Sequence, residues 1–220
     1  MLDCIEIEPK TSARASVIWL HGLGADGNDF VPIVDELGLG ADHGIRFVFP
    51  NAKTRPVTIN NGMAMRAWYD IKGMAIADKQ DAEGIRDSAS EIEQLIAREA
   101  ERGIAAESIV IAGFSQGGAI ALHTGVRHAD RLAGIMGLST YLPLAETLAD
   151  EASQANRQTP ILMAHGSQDP VVPVQLGQTS RDHLLDAGYD VAWKEYPMQH
   201  QVCMPEIATI GRWLGERLLR

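Results

Sequence analysis

The sequence predicts a single α/β domain over residues 1–220, with a mostly parallel central sheet and helices on both faces. Short apolar segments rich in β-branched residues alternate along the chain with longer segments that repeat apolar residues at helical spacing. This alternation is typical of strand, crossover helix, strand units, which build parallel sheets. With 220 residues, 45% of them hydrophobic, the chain is long enough to bury a core of this kind.

Six segments are predicted to be buried parallel strands, because they are short, apolar and bounded by turn residues. They are residues 16–20, 46–49, 108–112, 133–138, 160–164 and 191–196, with an additional edge strand at 6–9. Apolar stripes at helical spacing predict helices over 87–102, 174–186 and 206–219, and another helix opens near Gly118. Residues 51–80 show no clear periodicity, which predicts a long functional loop.

Charge and composition exclude several classes of function. The net charge of −10 comes from 29 acidic and 19 basic residues, and an acidic surface repels nucleic acid and anionic lipid. No segment is apolar for long enough to span a membrane, and the N-terminus lacks a signal-peptide pattern, so we expect a cytoplasmic protein. Cys4 and Cys203 share no metal-ligand spacing with the histidines, so we expect two free thiols, with neither a zinc site nor a disulfide framework.

The segment Gly113-Phe114-Ser115-Gln116-Gly117 matches the G-x-S-x-G pattern of a nucleophile elbow. It follows a predicted strand and opens a predicted helix, as the sharp strand-to-helix turn requires. Small flanking residues expose the serine hydroxyl at such a turn, which makes Ser115 the candidate nucleophile. The alternative interpretation is a glycine-rich helix start with Ser115 as its cap.

A serine hydroxyl needs a base and a group that orients the base, and in elbow proteins the acid and then the histidine follow the serine along the chain. Asp169 and His200 each follow a predicted strand, so both are expected at the same sheet edge as Ser115. His165 precedes Asp169, and we expect it to brace the Asp169 loop. The remaining candidates fall in helices, within strands or before Ser115: His43, His123, His128, His183, Asp182, Asp186 and Glu195.

Residues 22–27 also match the G-x-G-x-x-G pattern of dinucleotide-binding oxidoreductases. Such proteins place an acidic residue after the next strand to bind the ribose, whereas this chain reads Phe49-Pro50-Asn51 there. In the other interpretation, residues 21–24 form a loop whose backbone N–H groups face a developing oxyanion, with the N–H of Gln116 as second donor. We favour the oxyanion interpretation because its second donor, Gln116, belongs to the nucleophile elbow that already contains Ser115.

Together, the segments 21–24, 113–118 and 165–169 and the His200 loop closely resemble the acyl-protein thioesterase and carboxylesterase family, also called the phospholipase/carboxylesterase family. The resemblance spans nearly the whole chain, including residues 68–70 and 138–143. It implies the α/β-hydrolase fold and a cofactor-free hydrolase of carboxylic esters, acyl thioesters of proteins, or lysophospholipids. It also implies Leu23 and Gln116 as oxyanion donors and a homodimer. Family members commonly have glycine before the catalytic histidine, where this chain has Gln199.

The stretch 60–76 carries more apolar side chains than a solvated loop would: Met63, Met65, Trp68, Tyr69, Ile71 and Met74. In the family this region flanks the acyl groove, so Met63, Met65, Trp68 and Leu142 are predicted to contact substrate, with Leu144 nearby. The alternative is that these residues pack on the core. Two rival functions also remain open at this point: a dinucleotide-dependent oxidoreductase and a binding protein without activity.

Overall fold

A seven-stranded sheet forms the centre of the computed structural model, which describes residues 1–73 and 80–219. The strands of the chain are β1 (Cys4–Ile7), β2 (Ala15–Leu20), β3 (Ile45–Pro50), β4 (Thr54–Val57), β5 (Met63–Arg66), β6 (Ile109–Phe114), β7 (Gly134–Leu138), β8 (Ile161–Gly166) and β9 (Val191–Tyr196). The sheet order is β1-β3-β2-β6-β7-β8-β9. Only the β1/β3 pair of this sheet is antiparallel, which confirms the predicted mostly parallel arrangement.

Helices cover both faces of the sheet, as predicted. They are α1 (Ala82–Glu101), α2 (Gln116–Gly125), α3 (Leu148–Glu151), α4 (Val174–Asp186) and α5 (Met204–Leu218). Successive side chains of a strand point to opposite faces, so Ile18 and Leu20 pack in the core beneath α1 and α2, whereas Val17 and Trp19 pack in the core beneath α5. The sheet is therefore buried on both sides.

Several element boundaries differ from the predictions. The helix α1 begins at Ala82 rather than at residue 87, and the elbow helix begins at Gln116 rather than at Gly118. Gly84 and Gly117 lie in the first turns of these two helices. Because glycine lowers helix propensity, the sequence pattern placed both helix starts too late. The edge strand β1 spans 4–7 instead of 6–9.

The prediction of one irregular loop over residues 51–80 is wrong for residues 54–66, where β4 and β5 pair as an antiparallel hairpin. Each strand has only four residues, and Pro56 in β4 is unusual in a strand. A turn signal was present, because Asn61 and Gly62 both adopt the left-handed conformation that Asn-Gly favours. Met74 and Ile76 of the predicted loop lie outside the described residues.

Parallel pairing brings the predicted functional residues to one edge of the sheet. The strands β2, β6 and β8 end at Leu20, Phe114 and Gly166, immediately before the segments that carry the candidate oxyanion loop, Ser115 and Asp169. The strand β9 ends at Tyr196, four residues before His200. Among residues 1–73 and 80–219, no helix has the length and apolar content needed to cross a bilayer.

Candidate active site

Ser115 occupies a strained turn between β6 and α2. Its backbone has φ 53° and ψ −120°, a conformation that residues with a side chain rarely adopt. Two contacts hold the turn: the Ser115 N–H donates to the Leu138 carbonyl at 2.8 Å, and the Thr140 hydroxyl donates to the Ser115 carbonyl at 2.6 Å. The turn leaves Ser115 Oγ just beyond the end of β6, where it contacts the His200 ring.

A residue larger than glycine does not fit at position 117. A Cβ atom there would lie 2.4 Å from the His21 carbonyl oxygen and 2.6 Å from that of Leu20. Both neighbours are backbone atoms of the segment that leaves β2, so neither can yield easily. The start of α2 therefore packs directly against the candidate oxyanion loop.

His200 lies between Ser115 and Asp169. Its Nε2 atom is 2.9 Å from Ser115 Oγ, and its Nδ1 atom is 2.6 Å from Asp169 Oδ2. The Phe114 ring packs beside the imidazole, with 4.8 Å between the ring centroids. Because a carboxylate only accepts, the geometry fits a proton on Nδ1 and a free lone pair on Nε2 facing the serine hydroxyl.

Asp169 is buried, and its carboxylate is satisfied on both sides. Oδ1 accepts the backbone N–H groups of Val171 at 2.8 Å and Val172 at 2.9 Å, while Oδ2 faces His200. These hydrogen bonds offset part of the cost of burying the charge. They also fix the direction in which Oδ2 points. No pattern in the sequence indicated the two N–H donors.

His165 braces the Asp169 loop, as the sequence predicted. Its Nε2 atom is 2.8 Å from the Val172 carbonyl oxygen and 3.6 Å from Asp169 Oδ2. Burial lowers the pKa of His165, which favours the neutral ring. Its near-complete burial keeps the ring away from any substrate.

The loop after β2 is held rigidly beside Ser115. His21 is buried, and burial lowers the pKa of its ring. The neutral ring donates from Nδ1 to the Gly22 carbonyl at 2.7 Å and accepts the Ala52 N–H at Nε2, 3.0 Å away. Within the described part of the chain, the N–H groups of Leu23 and Gln116 donate to no protein acceptor, so both remain free for a ligand.

The predicted substrate contacts divide into two groups. Met63 is 65% exposed, and Met65 is half-buried on the same hairpin strand. Trp68 and Leu142 belong instead to the core, with exposures of 0% and 4%. Their predicted place in the groove is corrected accordingly. Trp68 follows β5 and lies in the core, where its ring N–H and its backbone N–H are hydrogen-bonded. Leu142 packs in the core beneath α1 and α2 together with Leu144.

The structure does not favour the dinucleotide interpretation of residues 22–27. Gly27 starts a 3₁₀ turn of only three residues, and its N–H donates to the Asn51 side chain at 2.9 Å. A pyrophosphate would require free N–H groups at the start of a full helix. Over residues 1–73 and 80–219, no group of three or more His, Cys, Asp or Glu side chains is arranged to hold a metal ion.

Comparison with known proteins fits this geometry. A model of the phospholipase/carboxylesterase family matches residues 2–216. The chain belongs to this family. It is 39% identical over 213 residues to acyl-protein thioesterase 1 of Gibberella zeae, covering 93% of this chain and 91% of the relative. It is 38% identical over 220 residues to acyl-protein thioesterase 1 of Yarrowia lipolytica, covering 97% and 96%.

A solved structure agrees at the level of the whole fold. The crystal structure of Zea mays acyl-protein thioesterase 2 superposes with a TM-score of 0.88 and 30% identity, covering 99% of this chain and 100% of that one. The fold is therefore the α/β-hydrolase fold. Family membership also makes the chain a hydrolase of the carboxylesterase and acyl-protein thioesterase type.

Proposed function

We propose that this enzyme hydrolyses carboxylic esters and acyl thioesters through Ser115, His200 and Asp169. The observation that carries the proposal is the continuous chain of contacts from Ser115 Oγ to His200 Nε2, at 2.9 Å, and from His200 Nδ1 to Asp169 Oδ2, at 2.6 Å. A base within hydrogen-bond reach of the nucleophile, itself oriented by a buried acid, is what serine catalysis requires.

In the acylation step, Ser115 Oγ bonds to the carbonyl carbon while its proton moves to His200 Nε2. The carbonyl oxygen becomes an oxyanion, which accepts hydrogen bonds from the free N–H groups of Leu23 and Gln116. Gln116 also stands at the positive end of α2, which stabilises negative charge. The tetrahedral intermediate then collapses, and the alcohol or thiol leaves with the proton from His200.

Deacylation repeats these events with water as the nucleophile. His200 Nε2 takes a proton from the water, whose oxygen bonds to the acyl carbon, and the same two N–H groups bind the second oxyanion. Collapse releases the carboxylic acid and returns the proton to Ser115 Oγ. No cofactor or metal takes part in either step.

The relatives named acyl-protein thioesterase support acylated proteins as substrates, alongside small esters and lysophospholipids. The acyl chain would lie against Met63 and Met65 of the hairpin, because both are accessible and methionine adapts to alkyl chains. Cys4 and Cys203 are free thiols, which agrees with a cytoplasmic location.

A fluorophosphonate probe tests the proposal, since it labels only an activated serine. Ser115→Ala should lose labelling and lower kcat by about 10⁴- to 10⁶-fold without change in the fold. Ser167→Ala, an exposed serine in the Asp169 loop, is the matched control and should label normally. Labelling of Ser115→Ala at the wild-type rate would overturn the assignment, and an unlabelled wild-type protein would support a binding protein without activity.

A further inference from the structure

The indole of Trp68 contacts the backbone of the candidate oxyanion loop. Its Nε1–H donates to the His21 carbonyl at 2.9 Å, and the two rings pack with 5.3 Å between their centroids. Next to this contact, the Gly24 N–H donates to the Arg66 carbonyl at 2.9 Å. Residues 66–68 thus hold the loop at points on both sides of Leu23.

The same segment holds the other proposed donor. The Trp68 backbone N–H donates to Gln116 Oε1 at 2.8 Å, and Gln116 Nε2 donates to the Tyr69 carbonyl at 2.7 Å. These two bonds fasten the Gln116 side chain, which is 3% exposed, to the backbone of the bend that follows β5. The proposed mechanism uses only the backbone N–H of Gln116, so it leaves this side-chain contact unexplained.

Trp68 is itself firmly anchored. It is completely buried, and the Ser88 hydroxyl donates to its carbonyl oxygen. The preceding residue, Ala67, donates its N–H to the Lys53 carbonyl at 3.1 Å. A substrate therefore cannot reach the indole, and the contacts of Trp68 are with the protein alone.

We propose that Trp68 is a positioning residue that fixes the two oxyanion donors, Leu23 and Gln116, relative to each other. The donors lie on different segments, at the ends of β2 and β6, and the stabilisation that they give depends on their direction and separation. Trp68 contacts both segments through separate hydrogen bonds. This inference rests on the proposed function and assigns to Trp68 a role distinct from acyl-chain binding.

Trp68→Phe tests the inference, because it removes the indole N–H and leaves the His21 carbonyl without its partner. Trp19→Phe is the matched control: Trp19 is 1% exposed, and its ring N–H has no hydrogen-bond partner in the described part of the chain. Both changes remove the same atoms from a core. We expect Trp68→Phe to lower kcat by about 10- to 100-fold with KM within about twofold of wild type.

The affinity for phenylboronic acid is a second measurement, which a loss of stability alone would not change. Phenylboronic acid forms a tetrahedral adduct on the serine oxygen and so needs the oxyanion donors in place. Its affinity should fall in Trp68→Phe by the same factor as kcat, and it should stay near wild type in Trp19→Phe. Melting temperatures measured for both variants separate folding from positioning.

Gln116→Met is a second variant. It removes the two side-chain hydrogen bonds from Gln116 to the backbone of Trp68 and Tyr69 and keeps the backbone N–H of residue 116. It should show the same joint loss of kcat and boronate affinity. Equal activities of Trp68→Phe and Trp19→Phe, or a loss confined to long acyl substrates, would overturn the positioning role. Normal labelling of Ser115→Ala would instead reject the proposed function, so the two failures are distinguishable.

Discussion

The carboxylate of Asp169 faces the imidazole of His200 through one oxygen and two backbone N–H groups through the other. Oδ2 lies 2.6 Å from His200 Nδ1, and Oδ1 accepts from Val171 and Val172. In Asp169→Asn, Oδ1 can keep its two donors, which turns the amide NH₂ toward His200. The ring must then present its Nδ1 lone pair, so its proton moves to Nε2 and the base is lost.

We therefore expect Asp169→Asn to lower kcat by up to about 10⁴-fold, with little change in KM. Steady-state kinetics on a short ester measures both quantities. His165→Gln is the comparison variant, because His165 is a buried histidine near the end of β8 that contacts the Asp169 loop and has no contact with Ser115. It should lower the free energy of unfolding and leave kcat much closer to wild type than Asp169→Asn does. A loss of kcat as large as that of Asp169→Asn would show that His165 positions Asp169 for catalysis.

Gly117→Ala should destabilise the protein, because its Cβ would meet the His21 and Leu20 carbonyl oxygens at 2.4 and 2.6 Å. We expect a loss of about 3 kcal/mol in the free energy of unfolding, since backbone must move to make room. Urea denaturation measures it. Gly73→Ala, where a Cβ would meet no atom of residues 1–73 and 80–219 within 4 Å, should stay within about 0.5 kcal/mol of wild type.

The meeting of Ser115, Asp169 and His200 was predictable because each of the three residues follows a strand that is visible in the sequence. Ser115, Asp169 and His200 all stand just beyond apolar runs, and parallel pairing then determines that they meet at one edge. The G-x-S-x-G motif identified Ser115 as the candidate nucleophile and gave the expected order of serine, acid and histidine along the chain. Local pattern and known serine chemistry were sufficient for this part of the site.

The support around the site was not predictable from local pattern. The hydrogen bonds of Gln116 join residues that are 47 and 48 positions apart, and no periodicity encodes such a pairing. For the same reason, sequence reasoning could not distinguish Trp68 in the core from Trp68 in a groove. The hairpin was missed because its strands have only four residues each and because Pro56 is unusual in a strand. Asn61-Gly62 was the one sequence signal that indicated its turn.

Gln199 stands where the resemblance implied a glycine, and the structure shows why a side chain is accepted. Gln199 is exposed, and it is not among the residues with positive φ in the described chain. Gln199→Gly should therefore leave kcat on short esters within about twofold of wild type. It should lower the free energy of unfolding by about 0.4–1 kcal/mol, because glycine enlarges the conformational entropy of the unfolded chain. A gain of activity above tenfold would show that Gln199 restricts the site.

The acyl groove can be tested at Met65, which lies beside the loop that carries Leu23. The Met65 sulfur is 3.7 Å from the Cβ position built at Gly24 and accepts the Asn60 side-chain N–H at 3.3 Å. Met65→Ala should reduce kcat/KM selectively for long acyl esters, by about 0.8 kcal/mol, or about fourfold, for each methylene that loses burial. Acetyl esters should be almost unaffected. Leu185→Ala, at an exposed apolar residue of α4, should change neither, and equal losses on short and long esters would reject a groove at the hairpin.

Glu206 makes stability depend on pH in a direction that a single variant can reveal. Its side chain is fully buried near the start of α5, and neither carboxyl oxygen has a well-formed hydrogen bond within residues 1–73 and 80–219. Desolvation raises its pKa from 4.5 to about 8, against the opposing effect of the Cys203 N–H. The folded state therefore prefers the protonated acid, whereas the unfolded chain ionises it near pH 4.5. Stability from this group is fully present below that pH and is lost as the pH rises through about 8.

Glu206→Gln mimics the protonated acid at every pH. Above about pH 4.5 the unfolded wild-type chain ionises Glu206, so folding must either protonate the carboxyl again or bury its charge. The variant should therefore be more stable than wild type only above about pH 4.5. We expect the two proteins to unfold with similar free energies at pH 4, and the variant to gain about 5 kcal/mol by pH 8.5, with almost no further gain above that. Urea denaturation at half-unit pH steps measures the difference, in which all other titrating groups cancel. Glu83→Gln, at an exposed position in the first turn of α1, should show a flat difference within about 0.5 kcal/mol. A flat difference for Glu206→Gln as well would mean that the carboxylate is ionised and satisfied in the folded protein.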